Sequence, residues 1–128
     1  MHHNVFNSGE NSVELLFNWS QDIIKAFSKN SKVMITINQP MIRNPIVAKR
    51  LRESIAIVVE RILNEIDVNE LYVEGGATVF AIISKVKFNR LIPIDELATG
   101  VIRFLVQDKP KFHLTIKPGS YLWPDSIW

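Results

Sequence analysis

The chain contains no cysteine. Disulfides and cysteine-ligated zinc are thereby excluded, and a reducing cytoplasm is the compartment this usage fits. No apolar run reaches the length of a membrane span. The opening Met1-His2-His3-Asn4-Val5-Phe6 lacks the apolar h-region of a secretory signal. A membrane partner is not expected. Neither a Gly-x-x-x-x-Gly-Lys-[Ser/Thr] loop nor a Gly-x-Gly-x-x-Gly fingerprint occurs, so the two commonest phosphate-loop signatures are missing. Charge of one sign is not in excess either: 15 Lys and Arg face 13 Asp and Glu, for a net charge of +2. Small basic groups occur at Lys49/Arg50/Arg52, Lys85/Lys87/Arg90 and Lys109/Lys111. None forms a dense stripe interleaved with exposed aromatics, so they read as solvated faces and no nucleic-acid partner is expected. There is no internal repeat and no low-complexity linker. His113 alternates with Phe112 and Leu114 and has no Cys or His-Glu spacing nearby, so no metal role is expected.

What is present is an ordinary globular composition. The 128 residues are 47% apolar and 22% charged, which suits one domain. A chain of this size buries about two thirds of its unfolded surface, enough for a core. Residues 1–11 read as a disordered or linker remnant, and 12–128 as the domain.

Periodicity orders the rest. Val13, Leu16, Phe17, Ile23, Ile24 and Phe27 share one helical face between Ser12 and about Lys29. Val33 to Ile37 is a near-continuous apolar run, which suits a strand from Lys32 to Asn38 covered on both faces. Gln39 to Pro45 is a connection broken by two prolines. A second helix is expected from Pro45 to about Asp67, with Asn44 as N-cap and Pro45 at the first helical position. Its apolar stripe is Val47, Leu51, Ile55, Val58, Ile62 and Ile66. Leu71 to Val73 predicts a strand, followed by the pair Gly75-Gly76 and a helix through Thr78 and Ile83. Three short strands follow, at Phe88–Ile94, Gly100–Val106 and Lys111–Ile116, with a turn at Asp108-Lys109-Pro110. The tail carries Tyr121, Leu122, Trp123, Pro124, Ile127 and Trp128. Helix, strand, helix, strand, helix and three strands predict an α/β fold: a single compact domain with a mixed β-sheet and helices on its faces, of the three-layer α/β/α type.

The Gly75-Gly76 pair has two readings. One is a tight turn between strand and helix. The other is a phosphate site, because a helix beginning there presents free N–H groups and a partial positive charge. The aromatic tail also has two readings: Tyr121 or Trp123 stacks on a base, or the aromatics dock the terminus onto the core.

Three blocks occur in order: Glu74-Gly75-Gly76-Ala77-Thr78, then Ala98-Thr99-Gly100-Val101, then Thr115-Ile116-Lys117-Pro118-Gly119-Ser120-Tyr121. Together they resemble the nucleotide-binding C-terminal domain of the four-carbon acid sugar kinases, over roughly residues 32 to 128. That family carries Gly-Gly-Asp/Glu-Thr, a Pro-Gly-Val segment and a closing Lys-x-Gly-x-Phe-Gly. The resemblance implies ATP with Mg²⁺ as cofactors, bound at Gly75, Gly76, Ala77 and Thr78, and at Gly119. Lys117 matches the lysine before the last glycine, either paired with phosphate or merely ending a strand in water. No catalytic residue is assigned. The resemblance also implies a partner: an N-terminal acid-sugar-binding domain of the same protein, which holds the small-molecule sugar acid and bears an acidic motif with no counterpart here. A homodimer is compatible with it. The chain by itself is then expected to bind ATP weakly or undetectably and to show no kinase activity. Two departures stand out. Ala77 occupies the position of the family's carboxylate, and Gly119-Ser120-Tyr121-Leu122-Trp123 lacks the second glycine and gains an indole. A non-catalytic dimerisation or docking module with a decayed nucleotide pocket is the alternative. The kinase reading requires the two glycine loops to meet at one rim of the sheet, and that rim not to be plugged by the terminal indoles.

Overall fold

The computed structural model describes residues 12–35, 44–109 and 111–127. They gather into two compact units, divided between Ile66 and Asp67.

In the first unit, α1 (Ser12–Phe27) and α2 (Pro45–Glu65) pack on each other. Leu16, Ser20 and Ile23 of α1 are buried at helical spacing, and the Ser20 hydroxyl donates to Phe17 O at 2.7 Å. Bonding back into its own helix satisfies that hydroxyl, so a serine can occupy the buried stripe. The Arg61 guanidinium of α2 lies 5.7 Å from the Phe17 ring centroid, and Gln21 donates to the Glu65 carboxylate at 3.2 Å. These contacts leave Phe17 half exposed and Val13 more so, although both fall on the expected stripe. In α2 the buried residues are Ser54, Ala56, Val58, Val59, Ile62 and Leu63. Val58 and Ile62 of the expected stripe are thus buried, while Val47, Leu51, Ile55 and Ile66 are only half-buried and Ala56, Val59 and Leu63 join the core.

The start of α2 is as the sequence predicts. Asn44 is extended and its side chain accepts from Ile46 N–H at 3.0 Å, with Pro45 just inside the helix. Losing that acceptor orphans one of the first-turn donors. Asn44→Ala is expected to cost about 1 kcal/mol, read as a lower urea midpoint at unchanged slope. The expected strand at 32–38 has no counterpart over residues 32–35, which form no strand; positions 36–38 lie outside the described residues, as do 39–43, 1–11, Pro110 and Trp128.

In the second unit the order is β1 (Glu70–Glu74), α3 (Gly76–Val86), β2 (Leu91–Ala98), β3 (Val101–Val106), β4 (His113–Lys117) and a single 3-10 turn at Asp125–Ile127. The four strands form one mixed sheet in the order β1-β4-β3-β2. β1 and β4 are parallel, while β2–β3 and β3–β4 are antiparallel. The expected mixed α/β sheet is thus present. α3 buries Val79 and Ile82 and packs against β1 and β4. It ends at Lys87, which takes the left-handed conformation (φ 62°) and donates to Ile83 O at 2.8 Å.

β2 begins three residues later than expected, and Phe88 explains the shift. Phe88 is buried beside Phe112, ring centroids 5.3 Å apart. The Asp108 carboxylate accepts from Asn89 N–H at 2.9 Å and Arg90 N–H at 3.2 Å. Those amides are therefore satisfied by a turn, not by a ladder. Pro93 is tolerated within β2 because β2 is an edge strand with a register irregularity beside that proline.

Candidate functional site

Strand register builds the site. Glu70 pairs with His113, Tyr72 with Thr115 and Glu74 with Lys117. Because β1 and β4 run parallel and end together, the residues after each leave from the same end of the sheet. Gly75 N–H donates to Lys117 O at 2.9 Å and joins the two exits. The two glycine loops therefore meet at one rim, which is the first thing the kinase reading requires; the Trp123 indole lies at the same strand ends, against Glu74 and Lys117, which weighs against the second. In α/β sheets with parallel strands, the carboxyl ends of the strands are where ligands collect.

Gly75 has φ +94°, a conformation that needs glycine, and it stands as the N-cap of α3 without any side-chain cap. The first helical bond runs from Val79 N–H to Gly75 O at 3.0 Å. The N–H groups of Gly76, Ala77 and Thr78 therefore lack helical acceptors, and they carry the positive end of the helix dipole. Gly76 and Ala77 are exposed and Thr78 is half-buried. Thr78 Oγ1 lies 3.8 Å from where a Cβ on Gly75 would stand. A Cβ on Gly76 or on Gly119 would meet nothing within 4 Å. Both glycines thus offer bare backbone to open space.

Lys117 does not end the strand in water: its side chain is 2% exposed. Its ammonium donates to Pro118 O at 2.9 Å and Tyr121 O at 2.5 Å, and pairs with Glu74 Oε1 at 3.2 Å. The other Glu74 oxygen accepts from the Trp123 indole N–H at 3.1 Å. The Trp123 ring lies 5.5 Å from Lys117 Nζ and meets the Tyr72 ring edge-on at 5.9 Å. Tyr121 packs over Gly100, whose φ is +76°. Of the two readings of the tail, the structure shows the docked one for Tyr121 and Trp123.

One side of the sheet is polar. Paired residues point the same way and alternate along each strand, so Glu70, Tyr72, Glu74, His113, Thr115, Lys117 and Arg103 share a face. Glu70 binds the Arg103 guanidinium and lies 3.7 Å from His113 Nδ1. Burial, with Glu70 alongside, pushes the Tyr72 phenol above its ordinary value, and Arg103 opposes the shift. Tyr72 therefore stays protonated at neutral pH. Among the described residues no group of three or more His, Cys, Asp or Glu could hold a metal.

Sequence reasoning did not single out Glu70 or Arg103, and it did not join Glu74 and Trp123 to Lys117. A period-two signal existed at Glu70, Tyr72 and Glu74, and again at His113, Thr115 and Lys117. Joining those two sets required the β1–β4 register, which no local window carries.

No family model and no curated protein matches the chain. Among solved structures it is similar to a domain of unknown function (DUF1537) from Bordetella bronchiseptica, crystallised with bound citrate as a domain-swapped dimer. The TM-score is 0.66 and the identity 13%, covering 87% of this chain and 28% of that one. A likeness at that identity is one of fold, and the chain spans a little over a quarter of that protein's length.

Proposed function

We propose that this chain is the nucleotide half of a four-carbon acid sugar kinase. In this reading ATP lays its phosphates on the free amides of Gly76, Ala77 and Thr78, with the backbone at Gly119 flanking them. The observation that carries it is the register Glu74↔Lys117, which brings the two loops to one rim. Open space over Gly76 and Gly119 supports it, as does the fold shared with the DUF1537 domain. The protein's task in phosphoryl transfer is to position groups and stabilise charge, and backbone amides at a helix start do both. Mg²⁺, arriving with ATP, would neutralise charge on the phosphates, its usual contribution to phosphoryl transfer. The partner is an N-terminal domain that carries the sugar acid and its acceptor hydroxyl.

Magnitudes limit what the chain does by itself. A helix start contributes about 0.3–2 kcal/mol toward an anion. Millimolar affinity already requires about 4 kcal/mol and micromolar about 8. Weak binding and no turnover follow. With a dissociation constant near ~1 mM, saturation at ~5 mM Mg·ATP adds about 1 kcal/mol of stability. Such a gain raises Tm by roughly 2–5 °C. Absence of any rise with ATP or with tripolyphosphate would refute the nucleotide site.

A second reading is a docking or dimerisation module whose pocket has decayed. Ala77 in the carboxylate position and a Lys117 whose donors are all engaged favour it. The same melting experiment separates the two.

A further inference from the structure

An ammonium group has three N–H donors and no more. Around Lys117 three oxygens take them: Pro118 O, Tyr121 O and Glu74 Oε1. Two of the three belong to the segment that follows β4 directly. Tyr121 N–H also donates to Pro118 O at 3.1 Å, closing a turn over the lysine. Trp123 then folds back, and its N–H ties the far end of the segment to Glu74. Its ring covers the ammonium from a further side and rests on Tyr72. A phosphate oxygen would need one of the donors already in use.

We propose that residues 118–123 are an autoinhibitory strap, whose carbonyl oxygens hold Lys117 in the place of phosphate and whose latch is the Trp123–Glu74 bond. The proposal rests on the nucleotide reading above and adds its regulation. The strap is local. Gly119, Ser120 and Leu122 are exposed, and Leu122 is 88% so. Opening it moves one turn and leaves the β4 ladder in place. When it opens, the Lys117 ammonium is released from the Pro118 and Tyr121 carbonyls and its donors become free for an anion at the rim the two loops share. The apparent affinity of a ligand that needs the open form is lowered by the fraction of molecules that are open. The latch therefore sets the affinity. Release of the strap by the sugar-acid domain would confine tight nucleotide binding to the assembled enzyme.

The test uses Trp123→Ala and the milder Trp123→Phe, which keeps a ring but removes the N–H donor. Lysine acetylation by an N-hydroxysuccinimide ester is followed peptide by peptide, with exposed Lys49 (72% side-chain exposure) as internal standard. Relative to Lys49, Lys117 is expected to react slowly in the parent protein and about tenfold faster once the latch is lost. Circular dichroism confirms that each variant is folded. Mg·ATP and tripolyphosphate are expected to bind both variants about tenfold more tightly than the parent and to protect Lys117. Labelling as slow in both variants as in the parent overturns the strap, as does nucleotide affinity that is unchanged or weakened. Faster labelling without nucleotide binding by any of the proteins supports the latch and overturns the nucleotide reading instead.

Discussion

Lys117→Ala is expected to lower the unfolding free energy by about 2–3 kcal/mol, read from urea denaturation of the whole chain. The lysine stem is buried almost completely, and its ammonium serves two backbone carbonyls and one carboxylate. Hydrogen bonds from a charged donor contribute about 1.5–3 kcal/mol each. That sum is an upper limit. Glu74 is half exposed, 52% by its side chain, so its share is reduced by solvent to well under 1 kcal/mol. The carbonyls of Pro118 and Tyr121 belong to exposed residues and regain water once the side chain is cut back. Lost packing of the stem supplies the remainder. Lys117→Met keeps the stem and removes the charge, so a smaller loss, about 1–2 kcal/mol, is expected. A Lys117→Ala midpoint equal to that of the parent would show that the lysine is not held as described.

Gly100→Ala is expected to cost about 2–3 kcal/mol, for two separable reasons. Gly100 has φ +76°, where a Cβ costs about 1 kcal/mol through contact with its own backbone. The added carbon would also stand 3.0 Å from Cγ and 3.1 Å from Cδ1 and Cδ2 of Tyr121. A ring face met at that distance must move, and overpacking of this kind costs about 1–3 kcal/mol. Tyr121 is 43% exposed, which places the cost towards the lower end. Placing Gly100→Ala in a Tyr121→Ala background removes the second reason and leaves the first. A coupling of about 1–2 kcal/mol is therefore expected from the double-mutant cycle. A cycle that sums to zero would mean that Tyr121 does not rest on Gly100.

The two substitutions probe one structure from opposite sides. Tyr121 lies on the β2–β3 turn through Gly100, and its carbonyl receives the Lys117 ammonium. Loosening either contact loosens the strap. In Gly100→Ala, moderate destabilisation and improved access to Lys117 should therefore accompany each other.

Much of the fold was legible from local windows. α1 and α2 were readable from apolar spacing, and the start of α2 from Asn44-Pro45, because a helix end must satisfy its own amides with nearby atoms. β1, the Gly75 turn and α3 were readable because a left-handed backbone position admits little besides glycine. The start of β2 was not, because Phe88 is strand-like in type yet buried against Phe112, a partner distant in sequence. The mismatch in α2 has the same origin: a helix stripe sets which residues are apolar, and packing sets which of them end deepest.

The candidate site divides in the same way. The bare backbone at Gly75, Gly76 and Gly119, and the absence of cysteine, metal-ligand spacing and phosphate-loop signatures, belong to the sequence itself. What only the tertiary structure decided is that β1 lies beside β4 in parallel, in the register that sets Glu74 against Lys117. A lysine at a strand end is read from sequence as a solvated charge, because its ordinary partner is water. Here its three donors are taken by oxygens that become neighbours only when the chain turns back at Pro118 and Trp123 settles on Glu74. Residue type fixes how many hydrogen bonds a group must make; the folded path of the backbone decides with whom.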